Sequence, residues 1–241
     1  MEIVRASNYE DMSKKACEKM TQVLKQNKSP VIGLATGSTP EGLYQCLIEK
    51  YKNNEISFEN TISFNLDEYV GLANDNPNSY HYYMDDKLFN HIDIKRENVH
   101  IPSGVAEDLE EECRQYETLI KQAKQIDFQL LGLGVNGHIG FNEPGTPFSS
   151  RTHVVELDES TRNANAHFFA SGWEVPSRAI SMGIETIMES KEILLLASGE
   201  KKADAVARLL DGEISEQFPA SILHTHKNVT IIADKDALSK V

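Results

Sequence analysis

The segment from Leu131 to Pro144 constrains the fold of this chain more than any other stretch of its sequence. It reads LGLGVNGHIGFNEP, so an apolar run ends in glycines and leads to a histidine and then a glutamate. Glycines allow sharp turns and a close approach of the backbone to a ligand. In an open α/β sheet, a buried strand that ends in such a turn presents its loop at the edge where active sites form. The segment favours an α/β sheet with His138 and Glu143 as candidates for proton transfer, although a glycine-rich turn with a structural histidine also fits.

A second apolar run begins at Val31 and continues as VIGLATGSTPEG. The run predicts a buried parallel strand, and Gly37, Ser38 and Thr39 then supply hydroxyls and backbone N–H groups before a helix that Pro40 can begin. A helix start with free N–H donors attracts anions, most often phosphate. The loop lacks the lysine of a nucleoside-triphosphate loop and does not read GxGxxG, so neither nucleotide motif is met. The alternative is a well-capped helix without a ligand.

The third informative segment runs from Thr61 to Leu72 and reads TISFNLDEYVGL. An apolar strand again ends in polar residues, among them Asp67 and Glu68. Neighbouring side chains on a strand point to opposite sides, so one carboxylate can face a pocket while the other faces structure. Taken by itself, the pair also fits an ordinary solvated turn.

Strand-like and helix-like patterns alternate along the whole chain. Strands are predicted near residues 31, 62 and 99 and over 128–133, 153–157, 193–197 and 229–233; helices are predicted over 12–24, 43–48, 108–124 and 201–210. This alternation predicts a mostly parallel sheet with helices on both faces. We therefore expect a single Rossmann-like α/β domain spanning residues 1–241.

The composition narrows the class of protein. A formal net charge of −13 argues against nucleic acid or an anionic membrane as a partner, and it means that local groups must capture any phosphate. Cys17, Cys46 and Cys113 are odd in number and show no pairing in their spacing, which predicts reduced thiols in a cytosolic protein. No histidine and cysteine spacing indicates a metal site, and no stretch is typical of a signal peptide or a transmembrane helix.

Four motifs together carry a resemblance to a known family. TGSTP, FNLDEYVGL, NSYHYYM and GHIGFNEP occur in order between about Val31 and Ile232, and the chain resembles the glucosamine-6-phosphate deaminases of the glucosamine/galactosamine-6-phosphate isomerase family. The related 6-phosphogluconolactonases read Asp-Glu-Arg at the acidic motif and Thr-Ala-Ser after the histidine. This chain has Tyr69 after the acidic pair and IGFNEP after His138. The resemblance is therefore closer to the deaminases.

The resemblance implies a reaction and a set of residues. Glucosamine 6-phosphate would be converted to fructose 6-phosphate and ammonium, without a metal or an organic cofactor. Asp67 matches the carboxylate that moves the proton between C2 and C1, and His138 matches the acid–base group for ring opening. Glu143 matches the residue that assists and orients this imidazole, and Lys202 matches the phosphate lysine.

The chain departs from the family pattern in three places. Asn136 stands where many relatives have an aspartate, so it can position His138 but cannot stabilise an imidazolium by charge. His167 aligns with the phosphate arginine and lacks the guanidinium fork. His153 and Val155 stand where some members hold an allosteric phosphate with an arginine and a lysine. We therefore expect no activation by N-acetylglucosamine 6-phosphate.

Two alternatives to the deaminase remain at this stage. A sugar-phosphate lactonase would need an acid–base histidine but no proton transfer at C2. A non-catalytic sugar-phosphate sensor would keep the pocket without the chemistry, although it would need none of Asp67, His138 and Glu143. The sequence leaves the oligomeric state open, and a small-molecule substrate is the only partner that it predicts.

Overall fold

A seven-stranded sheet forms the centre of the computed structural model, which describes residues 1–166, 169 and 174–241. All six pairings in this sheet are parallel. Across the sheet the strands lie in the order β1 (Glu2–Ala6), β10 (Val229–Asp234), β9 (Glu192–Ala197), β6 (Phe128–Gly132), β2 (Val31–Leu34), β3 (Ile62–Asn65) and β5 (Val99–His100). The inner strands are nearly continuous apolar runs because both of their faces are buried.

Helices cover both faces of this sheet. The α-helices of the described residues are α1 (Tyr9–Gln26), α2 (Glu41–Lys52), α3 (Tyr80–Lys87), α4 (Leu109–Gln122), α5 (Glu159–Asn165), α6 (Ile184–Met188) and α7 (Ala203–Asp211), with 3₁₀ turns at Phe89–His91, Arg96–Asn98, Glu200–Lys202 and Pro219–Thr225. The connections through α1 and α2 run toward β5, whereas those through α4 and α7 run toward β1. Right-handed crossovers in opposite directions place these two pairs of helices on opposite faces. The prediction of a mostly parallel sheet with helices on both faces is confirmed.

The beginnings of the longer helices follow from their capping residues. The side chains of Asn8, Ser79 and Asp108 each accept the backbone N–H of the residue three positions later, at 2.9, 3.1 and 3.0 Å. These bonds satisfy donors that a helix cannot pair internally. Pro40 before α2 and Lys202 before α7 provide no capping bond from their side chains. In the first turn of α2, the N–H of Gly42 instead donates to the hydroxyl of Tyr9 at 2.8 Å. None of the described helices is both long and apolar enough to cross a membrane.

A second, smaller sheet lies beyond the carboxyl end of β3. It consists of β4 (Asp67–Tyr69), β8 (Arg178–Ser181) and β7 (His153–Glu156), paired antiparallel in that order. The backbone N–H of Met182 donates to the carbonyl of Leu66 at 2.6 Å and so ties this sheet to the end of β3. The strand predicted over 153–157 is present, but it belongs to this small sheet, whereas β4 and β8 were not predicted.

The cysteine prediction is wrong for two of the three residues. Cys17 of α1 and Cys46 of α2 form a disulfide, with their Cα atoms 6.2 Å apart, and Cys113 is free and buried. The 29-residue separation gives no pairing signal in the sequence, because it is the side-by-side packing of α1 and α2 that brings the two sulfurs together. The cysteine pattern therefore gives no support for a reducing compartment.

Candidate active site

A cavity of about 350 Å³ opens at the carboxyl ends of the parallel strands. It lies where the strand order reverses, since the chain leaves β2 toward β3 and leaves β6 toward β9. In open α/β sheets the loops on either side of such a point diverge and create a crevice for ligands. Loops that follow β2, β3, β6 and β9 all contribute to the wall. The fold thus brings together segments that are more than 160 residues apart in the sequence.

The predicted site residues divide into two groups. Those that line the cavity are Gly37, Thr39, Asp67, His138 and Lys202. Asn136 and Glu143 lie behind His138, and the exposed Ser38 lies outside the cavity wall. His167 falls outside the described residues. Among the residues that the structure describes, no cluster of three or more histidine, cysteine, aspartate or glutamate side chains could hold a metal ion.

Asp67 is the carboxylate of the cavity wall. It is the first residue of β4 and only 6% exposed, with Ser181 of β8 opposite it across the small sheet. Burial raises the pKa of Asp67 to about 8, and the negative charge of the neighbouring Glu68 adds to this shift. A carboxyl group with a pKa near neutrality is a far better general base than an exposed aspartate.

Glu68 points away from the cavity, as alternation along a strand requires. Its buried carboxylate accepts the backbone N–H groups of Tyr69, Tyr80 and His81 at 2.8, 3.0 and 3.0 Å, and Nδ1 of His81 lies 2.9 Å from it. Tyr80 and His81 begin α3, so an anion placed there satisfies unpaired donors and interacts favourably with the helix dipole. Glu68 therefore fixes the start of α3 against the strand that carries Asp67.

His138 is held in one orientation by its neighbours. Nδ1 of the imidazole lies 2.8 Å from Oδ1 of Asn136, and Nδ2 of Asn136 donates to Oε2 of Glu143 at 2.8 Å. A carboxylate can only accept, so it determines which end of the amide faces the histidine. Oδ1 of Asn136 must in turn accept a proton from Nδ1 of His138. The opposite ring nitrogen, Nε2, is then left unprotonated in the neutral imidazole.

Burial keeps His138 neutral. It lowers the pKa of the imidazole to about 4, and the positive charge of Lys202 contributes to the shift. Glu143 does not contact the ring closely, since its Oε2 lies 3.7 Å from Nδ1, so it acts on His138 mainly through Asn136. The resemblance gave Glu143 the assisting and orienting role, and it left Asn136 able to position the ring by a hydrogen bond. The geometry gives the direct contact to Asn136.

The glycines of the loop after β6 make room for this arrangement. A Cβ atom on Gly134 would lie 2.3 Å from Nδ1 of His138, and one on Gly137 would lie 2.2 Å from the ring of Phe218. Gly137 also has a φ of +88°, a conformation that other residues adopt at a cost. The imidazole therefore packs directly on the bare backbone of Gly134, and the ring of Phe218 packs on that of Gly137.

The loop after β2 has the features of an anion site. Among the described residues, no acceptor pairs with the backbone N–H groups of residues 36–39, and α2 follows them without a side-chain cap. Gly37 has a φ of +87°, which lets successive N–H groups converge. Lys202 lines the same cavity, and burial lowers its pKa from the usual lysine value. A cation and a set of free N–H donors therefore face one space.

An aromatic wall completes the cavity, and its members were not predicted. The ring of Tyr69 lies 4.8 Å from that of Tyr80 and 5.5 Å from those of Phe141 and Phe169, measured between centroids. Nδ2 of Asn165 donates to the Tyr69 hydroxyl at 3.0 Å. The NSYHYYM run was visible in the sequence, but which of its tyrosines would face the site depends on how Glu68 holds α3.

His153 and Val155 lie on β7, away from the cavity wall. Nδ1 of His153 donates to the carbonyl of Arg151 at 2.8 Å. The guanidinium of Arg151 is itself paired with Glu185 at 3.1 Å and also contacts Glu117 and Glu189. Within the described part of the chain, neither β7 position offers a cation for a second phosphate. The absence of allosteric activation stays a prediction.

Comparisons with known proteins show the family to which this chain is related. The sequence profile described as "Glucosamine-6-phosphate isomerases/6-phosphogluconolactonase" matches residues 5–232. The glucosamine-6-phosphate deaminase of Oceanobacillus iheyensis is 60% identical over 241 residues, all of this chain and 96% of that protein. Glucosamine-6-phosphate deaminase 1 of Bacillus subtilis is 53% identical over 239 residues, 99% of each chain.

Solved structures show the same relationship. A monomeric glucosamine-6-phosphate deaminase superposes with a TM-score of 0.98 at 53% identity, over 100% of both chains. The 6-phosphogluconolactonase from Thermotoga maritima superposes with a TM-score of 0.76 at 22% identity, over 97% of this chain and 99% of that one, and at this identity the likeness concerns the fold alone. The profile match and the full-length identity lead to one conclusion: the chain belongs to the glucosamine-6-phosphate isomerase/6-phosphogluconolactonase family.

Proposed function

We propose that this protein is a glucosamine-6-phosphate deaminase, which converts glucosamine 6-phosphate and water to fructose 6-phosphate and ammonium. Relatives that carry this name match the chain along its whole length at 60% and 53% identity. The reaction has three parts: opening of the sugar ring, transfer of a proton from C2 to C1, and loss of the amine from the resulting imine. Each part makes a separate demand on the cavity.

The observation that carries the proposal is the pairing of Asp67 with His138 in one cavity. Burial raises the pKa of the carboxyl group to about 8 and lowers the pKa of the imidazole to about 4. Two titratable groups whose environments shift their pKa values apart are typical of divided acid–base roles. The acidic motif of the related lactonases contains the same Asp-Glu pair, so the carboxylate alone does not separate the two functions. The IGFNEP segment after His138 and the full-length identity to relatives named as deaminases favour the deaminase.

His138 serves the ring-opening step. Because Asn136 holds the proton on Nδ1, the unprotonated Nε2 is the atom that can accept a proton from the C1 hydroxyl of the closed sugar. The same nitrogen then returns that proton to the ring oxygen as the bond between C1 and this oxygen breaks. The imidazole ends neutral, so the step requires no net change in the charge of the cavity.

Asp67 serves the isomerisation. Its carboxylate removes the proton from C2 of the open-chain aldehyde while the C2 ammonium group passes a proton to the C1 oxygen, which gives an enolamine. The protonated carboxyl group, whose proton can exchange with solvent, then delivers a proton to C1. The product has an imine at C2, which water attacks, and the amine leaves as ammonium. One carboxylate can perform both transfers if it stays on one face of the intermediate. The rigid strand β4 and its pairing with β8 provide that fixed position.

The phosphate is assigned to the loop after β2 and to Lys202. The chain carries a net charge of −13, so the overall field repels a dianion, and binding must come from local groups. Gly37, Ser38 and Thr39 offer backbone N–H groups and hydroxyls at the start of α2, and the Lys202 ammonium adds a positive charge. A phosphorylated amino sugar is a metabolite that cells retain, and the proposed substrate therefore supports a role in the breakdown of amino sugars in the cytoplasm.

The proposal is tested by measuring ammonium release from glucosamine 6-phosphate and from glucosamine, beside the hydrolysis of 6-phosphogluconolactone. Glucosamine 6-phosphate should release ammonium, whereas glucosamine without its phosphate should do so at a far lower kcat/KM because the loop and Lys202 have no ligand. 6-Phosphogluconolactone should be hydrolysed no faster than in buffer. Rapid lactone hydrolysis without ammonium release would establish the lactonase, and binding of glucosamine 6-phosphate without any turnover would establish the sensor.

A further inference from the structure

Three tyrosine hydroxyls converge on the loop after β2, each from a different helix. Tyr44 of α2 donates to the carbonyl of Ala35 at 2.5 Å, Tyr83 of α3 donates to that of Gly37 at 2.6 Å, and Tyr9 of α1 donates to that of Ser38 at 2.9 Å. The three acceptors lie within four consecutive residues. We call Tyr9, Tyr44 and Tyr83 the tyrosine collar.

Each of these bonds also determines the direction of an N–H group. In a planar trans peptide unit, the carbonyl of one residue and the N–H of the next point in opposite directions. A carbonyl held outward by a tyrosine therefore directs the following N–H inward. The collar sets the N–H of Thr36 through Ala35, that of Ser38 through Gly37 and that of Thr39 through Ser38.

Without these bonds, the loop would have an alternative that excludes an anion. Gly37 has a φ of +87° and no side chain, so the peptide unit between Gly37 and Ser38 can rotate at little steric cost. Such a rotation would turn a carbonyl oxygen toward the cavity, where it would repel a phosphate. The Tyr83 hydroxyl opposes this rotation directly because it holds the carbonyl of Gly37.

Tyr9 joins the loop to the helix that follows. Its hydroxyl accepts the backbone N–H of Gly42 at 2.8 Å while it donates to Ser38. A Cβ atom on Gly42 would lie 3.1 Å from the Tyr9 ring and 2.4 Å from Oγ of Ser13, so a side chain there would crowd α1. The glycine of the TGSTPEG sequence therefore makes room for Tyr9, an interaction between residues 33 positions apart.

We propose that Tyr9 and Tyr83, with Tyr44 behind them, are positioning residues for the phosphate of the substrate. They do not need to touch the phosphate, because they act through the peptide units whose N–H groups bind it. This inference rests on the proposed function for the identity of the ligand. It predicts that removal of a phenolic oxygen from α1 or α3 weakens phosphate binding.

The test uses Tyr9→Phe, Tyr83→Phe and the double variant, which keep the aromatic rings and remove only the hydroxyls. Binding of fructose 6-phosphate and of inorganic phosphate is measured by calorimetry in ammonium-free buffer, so that no turnover is needed. Each single variant should weaken both ligands by about 2- to 10-fold, the effect of one hydrogen bond, and the double variant should weaken them further. In turnover assays KM should rise by a similar factor, with a smaller change in kcat.

Two control variants separate positioning from general stability. Tyr82→Phe alters the exposed neighbour of Tyr83 and should change neither stability nor phosphate affinity. Tyr116→Phe removes a buried hydroxyl that donates to the carbonyl of Asn65 at 2.6 Å, so it should lower the thermal midpoint while phosphate affinity stays unchanged. Tyr44 is fully buried, and its variant is therefore not used.

The outcomes distinguish this inference from the proposed function. If Tyr9→Phe, Tyr83→Phe and the double variant bind both phosphate ligands as tightly as the wild type, the collar has no positioning role, whatever the protein catalyses. If the wild type fails to bind either ligand, the inference is also wrong. If the wild type binds them without releasing ammonium from glucosamine 6-phosphate, the proposed function fails, and weaker binding by the variants still supports the collar.

Discussion

Asp67 and His138 lie in one cavity and are both largely buried, yet their pKa values shift in opposite directions. The pKa of the carboxyl group rises to about 8, and that of the imidazole falls to about 4. Burial disfavours the charged form of each group, which is the anion for aspartate and the cation for histidine. One physical effect therefore makes Asp67, at the start of β4, a stronger base than an exposed aspartate, and it keeps His138, in the loop after β6, neutral.

The two regions differ more sharply in how they hold these side chains. His138 is linked through Asn136 to Glu143 by hydrogen bonds of 2.8 Å each. By contrast, no donor within the described ranges forms a hydrogen bond with the carboxylate of Asp67. Hydrogen bonds to a carboxylate would stabilise its charge and lower its pKa. Asp67 can therefore take up and release a proton without breaking a hydrogen bond. The hydrogen bond to Asn136, by contrast, fixes the orientation and the tautomer of His138.

The largest effect is expected from Asp67→Asn. Asparagine keeps the size of the side chain but cannot accept the C2 proton, so turnover should fall by ~10²–10⁴-fold while fructose 6-phosphate still binds. The decisive measurement is solvent deuterium incorporation at C1 of the product. Incorporation by the variant at the wild-type rate would exclude Asp67 as the base.

The same variant tests the raised pKa through stability. Because the pKa of Asp67 is higher in the folded protein than in the unfolded chain, the folded state binds more protons between about pH 4 and pH 8, and wild-type stability falls as pH rises through this range. Each unit of difference in pKa corresponds to roughly 1.4 kcal/mol. The variant should therefore be more stable than the wild type at pH 8 and lose that advantage near pH 4. Equal thermal midpoints at both pH values would contradict the shift.

A smaller loss is expected from His138→Gln. Glutamine cannot shuttle the proton from the C1 hydroxyl to the ring oxygen, but sugars also open spontaneously in water, and this background limits the loss to ~10²-fold. Binding of fructose 6-phosphate should change little because the imidazole acts mainly in the transition state. The readout is the separation of kcat from KM. A variant with normal kcat and a raised KM would assign His138 to binding.

The two regions also differ in how far the sequence predicts them. The strand and glycine loop around His138 are local, since the apolar run, the turn and the titratable side chains are neighbours in the chain. The surroundings of Asp67 are not local, because β4 pairs with β8 more than 100 residues later and Glu68 binds the start of α3. Alternation along the strand predicts that Asp67 and Glu68 face opposite ways. It does not predict what either one meets.

The same limit explains the other differences between prediction and structure. Cys17 and Cys46 pair because two helices pack side by side, and no spacing rule encodes that packing. The tyrosines of NSYHYYM reach the cavity and the loop after β2 only once α3 is fixed in rotation. Periodicity predicts the elements well, whereas contacts between distant elements depend on packing that one sequence does not display.

The next prediction concerns the contribution of Glu68 to the pKa of Asp67. In the wild type, kcat/KM should rise with pH as Asp67 ionises, toward a plateau above its pKa of about 8, because only the carboxylate form removes the C2 proton. The negative charge of Glu68 contributes to that raised pKa. Glu68→Gln should therefore lower the pKa of Asp67, so that kcat/KM rises at a lower pH than in the wild type. The measurement is the pH profile of kcat/KM for both proteins.

Glu68→Asp is the matched control for this effect. It keeps the negative charge, but its shorter side chain reaches the N–H groups of Tyr80 and His81 less well. It should therefore weaken the attachment of α3 to β4 without a comparable shift in the pH at which kcat/KM rises. If kcat/KM rises at the same pH in Glu68→Gln and in the wild type, burial alone raises the pKa of Asp67.

The smallest effect is expected from Asn136→Asp, which introduces the charge that the hydrogen-bond chain lacks. A carboxylate 2.8 Å from Nδ1 would stabilise the imidazolium and raise the pKa of His138 from about 4 toward its ordinary range. The gain should be partial, because Nδ2 of Asn136 now donates to Glu143, and two carboxylates at that distance would share a proton. Nε2 stays free to accept a proton whenever the ring is neutral, so kcat near pH 8 should change by less than about 10-fold. Titration of the imidazole by NMR measures the shift directly. An unchanged pKa would show that burial and the charge of Lys202 outweigh a neighbouring carboxylate. The hydrogen bond from His138 to residue 136 would then fix the tautomer of the imidazole without setting its pKa.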